Sequence, residues 1–402
     1  MTSMMTPSKL CNAIRVAAGI VQRTLNGASI SDIHLGNART NTFHIANNLR
    51  KAFPDSPETA LLDFILIAGD VFDKLLTVPQ EEVEEILAWI TEFLEICHKY
   101  GILVRVLEGT PSHDWKQSRL FTDINESMGN LVNLKYVDTL SIEVIEELGG
   151  LSILYVPDEW NADANVTWLQ VNELLKQHGL DKVNVACMHG SFDYQLPIES
   201  IKNHSSERYK SIVSDYIVIG HVHIRTENGI ILAQGSFDRL SHGEEAPKGH
   251  YRFTISPEGN RHWFVENQGA KLYLTIDCRA KSLEDLIKYL DSIADYPDGS
   301  ALRLLLSRDS ALARDIREVR KRYPQFKVTT QLDELKVPEA LQVRQENKAA
   351  PSKPITVTPT NINHMVEAKA KALFQGLSPD KQESKLNHLM AVLERHKYQE
   401  AA

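Results

Sequence analysis

The run Phe64-Ile65-Leu66-Ile67-Ala68, followed at once by Gly69-Asp70, constrains this chain more than any other segment. A short, uncharged apolar run that ends in a glycine and an aspartate reads as a buried strand delivering a carboxylate at its end. Pro79 to Tyr100 then reads as a helix. Pro79 opens it, and Glu81, Glu82, Glu84 and Glu85 suit its N-terminal dipole. Val83, Ile86, Leu87, Ile90, Leu94 and Cys97 mark a buried face, and Gly101 ends it. Ile102 to Leu107 is the next strand. Strand, helix and strand at this spacing predict βαβ units and a layered α/β core.

The theme continues from about residue 28 onward. Val166 to Gln177 reads as a helix, and Val183 to Met188 and Tyr216 to Ile219 as strands. Tyr251 to Ser256 and Arg261 to Glu266 flank Pro257-Glu258-Gly259-Asn260 and read as a hairpin. The acidic stretches Glu81 to Glu85 and Glu143 to Glu147 are expected on solvated helix faces. A boundary falls near Asn267 to Ala270. Beyond it, a strand over Leu272 to Ile276, a helix over Leu283 to Ile293, and a strand over Leu302 to Leu306 are expected. A helix over Ala311 to Tyr323 and a strand over Phe326 to Thr330 complete a small β-α-β-α-β module. Residues 345–361, with Pro351, Pro354 and Pro359, read as a linker. Two amphipathic helices follow over residues 362–398. At the other end, residues 1–27 read as an N-terminal extension. Their basic, acid-poor, amphipathic character is also that of a transit peptide, and that alternative stays open.

The chain has 402 residues, enough for two or three domains. No apolar run reaches the ~18–20 residues that a membrane helix needs, so no membrane partner is expected. A net charge of −9 argues against binding nucleic acid by bulk charge, though not against a local basic groove or a metal that attracts phosphate. Four scattered cysteines without a C-x-x-C pair make a reducing compartment the default.

Five short motifs stand at strand ends, in chain order. They are Ser31-Asp32-Ile33-His34-Leu35-Gly36; Gly69-Asp70-Val71-Phe72-Asp73; Gly109-Thr110-Pro111-Ser112-His113-Asp114; Met188-His189-Gly190; and Gly220-His221-Val222-His223. Carboxylates with neutral imidazoles suit borderline divalent metals such as Mn²⁺, Fe²⁺ or Zn²⁺. In D-x-H and H-x-H the alternate residues of an extended segment point the same way, so both can face one ion. A strand-end carboxylate can bridge two ions ~3.5–4 Å apart, and such a pair can drive an in-line displacement at a phosphodiester. A lone D-x-H or H-x-H is commonplace; five in order, each after an apolar strand, are not.

In this order the motifs resemble the calcineurin-like metallophosphoesterase superfamily. More narrowly, they are similar to its SbcD-type branch, the nuclease subunits of DNA repair and recombination complexes. Ile30 to Asn37, Gly69 to Lys74, and Gln234 to Glu245 followed by Lys248-Gly249 carry the narrower likeness. The resemblance spans about residues 28–400 and is architectural only beyond about 270. It implies a two-sheet α/β sandwich flanked by helices over residues 28–267, a small α/β capping domain over 270–335 and a C-terminal helical pair. It implies two divalent ions, Mn²⁺ foremost. Asp32, His34 and His223 would hold one ion, Asp70 would bridge, and His189 and His221 would hold the second. His113 matches a non-ligand histidine that acts on the scissile phosphate and leaving oxygen. Asp114 either orients His113 or caps the loop.

The family places an asparagine before this histidine, with its side-chain oxygen on the second ion. Here two extra residues follow Gly109, and Ser112 stands in that place, as a direct ligand or replaced by water. Arg225, Arg239 and Lys248 are candidates for DNA phosphate contacts, with a surface salt bridge as the alternative for each. The implied activity is 3′-to-5′ exonuclease on duplex DNA and endonuclease on single strands. The implied partners are DNA, a second copy of the chain, and an SbcC-type coiled-coil ATPase bound through residues 362–398. The implied setting is the cytoplasm of a bacterial or phage-infected cell. Rival readings are a phosphoesterase for phosphoprotein or cyclic nucleotides, and a catalytically weak scaffold for the ATPase.

Overall fold

A computed structural model describes residues 23–333, apart from 77–78, 198–199 and 309. The linker at 345–361, the helical pair at 362–398 and most of the extension at 1–27 lie outside the described residues. The chain runs through β1 (Leu25–Ile30), α1 (Thr42–Ala52), β2 (Phe64–Ala68), α2 (Gln80–Tyr100), β3 (Leu103–Leu107), α3 (Leu120–Ser127) and β4 (Leu134–Val137). It continues through β5 (Ser141–Ile145), β6 (Leu151–Val156), α4 (Ala164–His178), β7 (Val183–Gly190), α5 (Ser206–Ile212), β8 (Val213–His221) and β9 (Thr226–Asn228). β10 (Ile231–Ala233), β11 (Gly249–Ile255) and β12 (Arg261–Glu266) complete the main body. Ordered strand thus begins at Leu25 rather than at residue 28.

Two six-stranded sheets result, ordered β12-β11-β1-β2-β3-β4 and β5-β6-β7-β8-β10-β9. Period-two alternation assigns each strand's faces. On β2, Phe64, Leu66 and Ala68 join a cluster shared with Tyr155, Val185, Cys187 and Val218 of the other sheet. Ile65 and Ile67 point the opposite way, into a cluster with Ile86, Ile90 and Leu94 of α2. The second sheet repeats the scheme, with Ala186, Met188, Ile217 and Ile219 packing against Val171 and Leu175 of α4.

On α2 the buried face is Ile86, Trp89, Ile90, Phe93, Leu94 and Cys97, while Leu87 is exposed. Trp89 and Phe93 widen that face because their rings pack on each other and on Phe121. Gly101 ends the helix at φ 67°, the left-handed turn that glycine adopts freely. Glu143 is no helix-face residue. It sits on β5 and accepts from Arg105 Nε (2.9 Å) and the Tyr155 hydroxyl (2.9 Å). The alternation of Ile142 and Val144 about it outweighs the acidic composition.

After the hairpin, β13 (Tyr273–Asp277), α6 (Leu283–Asp291), β14 (Ala301–Leu306), α7 (Leu312–Arg322) and β15 (Lys327–Leu332) form a parallel three-stranded sheet with its own core. Buried Asp238 ties this module to the main body, accepting from Lys271 N (3.0 Å) and from Asn48 Nδ2 (2.9 Å) on α1. Among the described residues no helix is long and apolar enough to cross a membrane.

Candidate metal centre

β1, β2 and β3 run parallel, as do β7 and β8, and all five motifs leave the C-terminal ends of these strands. Ligand sites of open α/β sheets form at such ends. The first two loops are laced together beyond their strands: Ile33 N bonds Asp70 O (2.8 Å) and Leu35 N bonds Val71 O (2.8 Å). Gly109 must be glycine, because a Cβ there would lie 2.1 Å from Asp70 N. Asp32, His34, Asp70 and His221 have φ of 49°, 55°, 50° and 99°, a left-handed backbone that non-glycine residues adopt at a cost.

Three groups of side chains converge, each with ligand atoms within 4.8 Å of one another: Asp32, His34 and His223; His34, Asp70 and His113; and Asp70, His189 and His221. His34 Nε2 faces His223 Nε2 at 3.1 Å, and His223 Nε2 is 3.7 Å from Asp32 Oδ1. Asp70 Oδ1 lies 3.2 Å from His189 Nε2, and Asp70 Oδ2 lies 3.0 Å from His113 Nδ1 and 3.8 Å from His34 Nε2. Asp32, His34, Asp70 and His189 are buried, whereas His113, His221 and His223 are partly open.

The charges support one another. Burial opposes ionisation of Asp70, but His189 and His113 outweigh it and hold the carboxyl far below the carboxylate range. The same bond to Asp70 raises His113. Burial and neighbouring His189 lower His221.

Sequence reasoning assigned no role to several residues behind the ligands. His189 Nδ1 is 2.6 Å from Ala68 O, which leaves Nε2 facing the centre. Asp73 lies 3.3 Å from His34 Nδ1. Glu244 lies 3.1 Å from His223 Nδ1 and pairs with Lys248 (3.1 Å). Burial opposes ionisation of Glu244, yet His223 and Lys248 hold it down at about 2. Asp158 lies 3.7 Å from His221 Nδ1. Asp73 carried a signal as the last residue of the second motif, and Glu244 as part of the block after the fifth.

Other expectations are corrected. Ser112 stays outside the centre: it is exposed on the turn Pro111–Asp114, where its carbonyl accepts from Trp115 Nε1 (2.9 Å). Thr110 takes the inner place, with Oγ1 3.3 Å from Asp70 Oδ2, 3.4 Å from His189 Nε2 and 3.3 Å from His221 Nδ1. The two extra residues thus follow the inward-facing position instead of preceding it. Asp114 does not orient His113. Its fully buried carboxylate accepts from Asp70 N (3.1 Å), Phe72 N (2.9 Å) and Gly109 N (2.8 Å), so it caps the loops. Burial and the nearby Asp70 charge push it up to about 7.

Lys248 and Arg239 do not face a ligand. Lys248 Nζ is buried on His223 O (2.8 Å), Ser236 Oγ (2.7 Å) and Glu244, bracing the fifth motif. Arg239 is buried with its guanidinium on the Lys271 and Glu245 carbonyls. A buried cation needs such partners, which consumes the donors a phosphate would use. Arg225 is partly exposed, its guanidinium 4.3 Å over the Phe264 ring.

The donor set fits divalent cations. Carboxylates and imidazoles are mixed, and the 3.1 Å between His34 Nε2 and His223 Nε2 is a spacing that two ligands of one cation can keep. The arrangement is compatible with a metallophosphoesterase. No family model matches the chain, and no curated protein matches it. Solved structures similar to it include TT1561 of Thermus thermophilus (9% identity, 60% of this chain and 99% of that one, TM-score 0.35). Another is GAP50, the anchor in the inner membrane complex of Plasmodium (14% identity, 72% of this chain and 99% of that one, TM-score 0.36). Likeness at this level carries no functional inference.

Proposed function

We propose that this chain is a divalent-metal-dependent phosphodiesterase of the metallophosphoesterase kind, and specifically an SbcD-type DNA nuclease. One observation carries the reading: Asp70 stands between the two outer groups, with Oδ1 3.2 Å from His189 Nε2 of one and Oδ2 3.8 Å from His34 Nε2 of the other, where a carboxylate shared between two ions would stand. In this reading Asp32, His34 and His223 hold one Mn²⁺, His189 and His221 hold the other, and Asp70 bridges. Bound ions of this class polarise a phosphoryl oxygen and lower the pKa of water.

The chain's own residues supply the rest. His113 and His221 are the most open of the central histidines, each with its side chain 37% exposed. With Nδ1 engaged by Asp70, the Nε2 of His113 is left to meet the phosphodiester and to give a proton to the leaving oxygen. The bond to Asp70 raises its pKa, which favours the protonated ring. The Gly235–Gly249 block supports the narrower reading through Glu244 and Lys248, which fix His223 from behind. An SbcC-type ATPase bound through residues 362–398 and a second copy of the chain are the partners of this reading.

The test is Mn²⁺-dependent cleavage by the full chain of linear duplex and single-stranded DNA, beside a cyclic nucleotide and a phosphopeptide. The reading expects DNA cleavage that chelator abolishes and Mn²⁺ restores. Absence of DNA cleavage with and without the ATPase overturns the nuclease reading, and turnover of a cyclic nucleotide instead would keep only the phosphodiesterase class.

A further inference from the structure

Among the described residues, the corner formed by Asp70, His189 and His221 brings together three donors of the types that ordinarily bind metal, and one of them is shared. The Thr110 hydroxyl closes it. Its oxygen lies 3.3–3.4 Å from one atom of each of the three. Donors around one ion with bonds of about 2.1–2.2 Å stand roughly 3.0–3.6 Å apart, across octahedral to tetrahedral arrangements. The Asp70–His189 separation of 3.2 Å lies in the same span. Thr110 is held there by its own backbone, with Thr110 N donating to Asp70 Oδ1 at 2.6 Å. Two carboxylates border this corner, Asp70 and Asp158. Asp158 Oδ2 is buried without a hydrogen-bond partner, an anion that a bound cation would balance.

We propose that the Thr110 hydroxyl is the fourth protein ligand of the second cation, in place of a side-chain amide. The proposal rests on the reading of the centre as a divalent-metal site. It carries a consequence for affinity. The Asp32–His34–His223 corner shares Asp70 and adds a carboxylate of its own, whereas the Thr110 corner shares Asp70 and adds a neutral hydroxyl. Fewer anionic donors bind a hard cation more weakly, so the two ions fill in sequence, the Thr110 corner last.

Titrating the metal-free full chain with Mn²⁺ by calorimetry, and by loss of the free-Mn²⁺ EPR signal, tests this without any substrate. The wild-type chain should take up two ions of unequal affinity. Thr110→Val, which keeps the shape and removes the hydroxyl, should weaken the second ion about tenfold or more and leave the first unchanged. Thr110→Ser should keep both, and so should Ser112→Ala. If Thr110→Val fails to fold by circular dichroism, Thr110→Ala removes the same hydroxyl and decides the matter in its place. Two ions bound with unchanged affinities in the hydroxyl-free variant overturn the proposal, as does a wild-type chain that binds a single ion. A wild-type chain that binds no Mn²⁺ overturns instead the metal reading on which the proposal rests.

Discussion

At the Asp32–His34–His223 corner Asp32 and His223 are each held by another polar group. Both Asp32 oxygens accept from His221 N (2.9 and 3.1 Å), and Ser31 bonds the same carboxylate. Glu244, braced by Lys248, backs His223, while Asp73, held by Asn37 Nδ2 (2.8 Å), stands 3.3 Å from His34 Nδ1 without hydrogen-bonding it. At the Asp70–His189–His221 corner the backing is thinner. The Ala68 carbonyl fixes His189, but Asp158 stands 3.7 Å from His221 Nδ1, the nitrogen that also meets Thr110, and so lies beside this corner and not behind it. Groups behind ligands set ring orientation and basicity, so the first corner is prepared in advance and the second depends more on what binds there.

Removing the group common to both corners should have the largest effect. Asp70→Asn should abolish tight uptake of both ions and lower DNA cleavage by roughly 10³-fold or more, since a metal contributes several kcal/mol to such a transition state. Calorimetry and a nuclease assay check it; a variant that still binds one ion tightly would mean that the corners are independent.

His113→Ala should come next, with cleavage down by roughly 10²–10⁴-fold and Mn²⁺ uptake nearly intact. Loss of an ion in parallel would make His113 a ligand, as its grouping with His34 and Asp70 allows.

Two matched changes sharpen the contrast in backing. Glu244→Gln should weaken the first ion about 10–100-fold, whereas Asp158→Asn should weaken the second by only about threefold. Equal losses would erase the difference between the corners.

Acid should give the smallest effect, and unequally. His204, packed between Phe192 and Tyr209 near Gly190, is pushed by burial down to about 4. A histidine depressed in the folded state contributes stability that is complete above its ordinary pKa near 6.5 and is lost as pH falls towards 4. Glu244, held at about 2, contributes stability that is complete above 4.5 and is lost only below it. From pH 7 to pH 4 the thermal midpoint of the metal-free wild-type chain should therefore fall by roughly 5 °C relative to that of His204→Phe. An identical drop in the variant would free this region of the blame.

Much of the scaffold was legible because burial writes periodicity into sequence. Phe64 to Ala68, the α2 helix and the β11–β12 hairpin stand close to where their patterns place them. The second sheet's entry was not legible: β4 and β5 are short and half exposed, and Glu143 interrupts an alternation too brief to notice. At the centre, D-x-H and H-x-H announced their residues by type and by their place after apolar strands, although Asp32, His34 and His221 take left-handed backbone at or past the strand ends instead of the extended form their spacing suggests. Residues behind the ligands had no such spacing, for Glu244 and Asp158 arrive from loops that only folding brings near. Thr110 and Ser112 illustrate the limit. Spacing counts two extra residues in the third motif, and only the turn Pro111–Asp114 reveals that they bulge outward after Thr110. Lys248 and Arg239 looked like surface cations because sequence carries charge but not depth.

The left-handed backbone at Asp32, His34, Asp70 and His221 also sets how stiff the cradle is. Conformations of this kind cost about 1–3 kcal/mol each and persist only where the surroundings over-determine them. Here the laced loops and the caps from Asp114 supply that constraint. Torsion angles thereby fix the spacing of the side chains through the backbone itself, so that the cradle keeps its form without help from a guest.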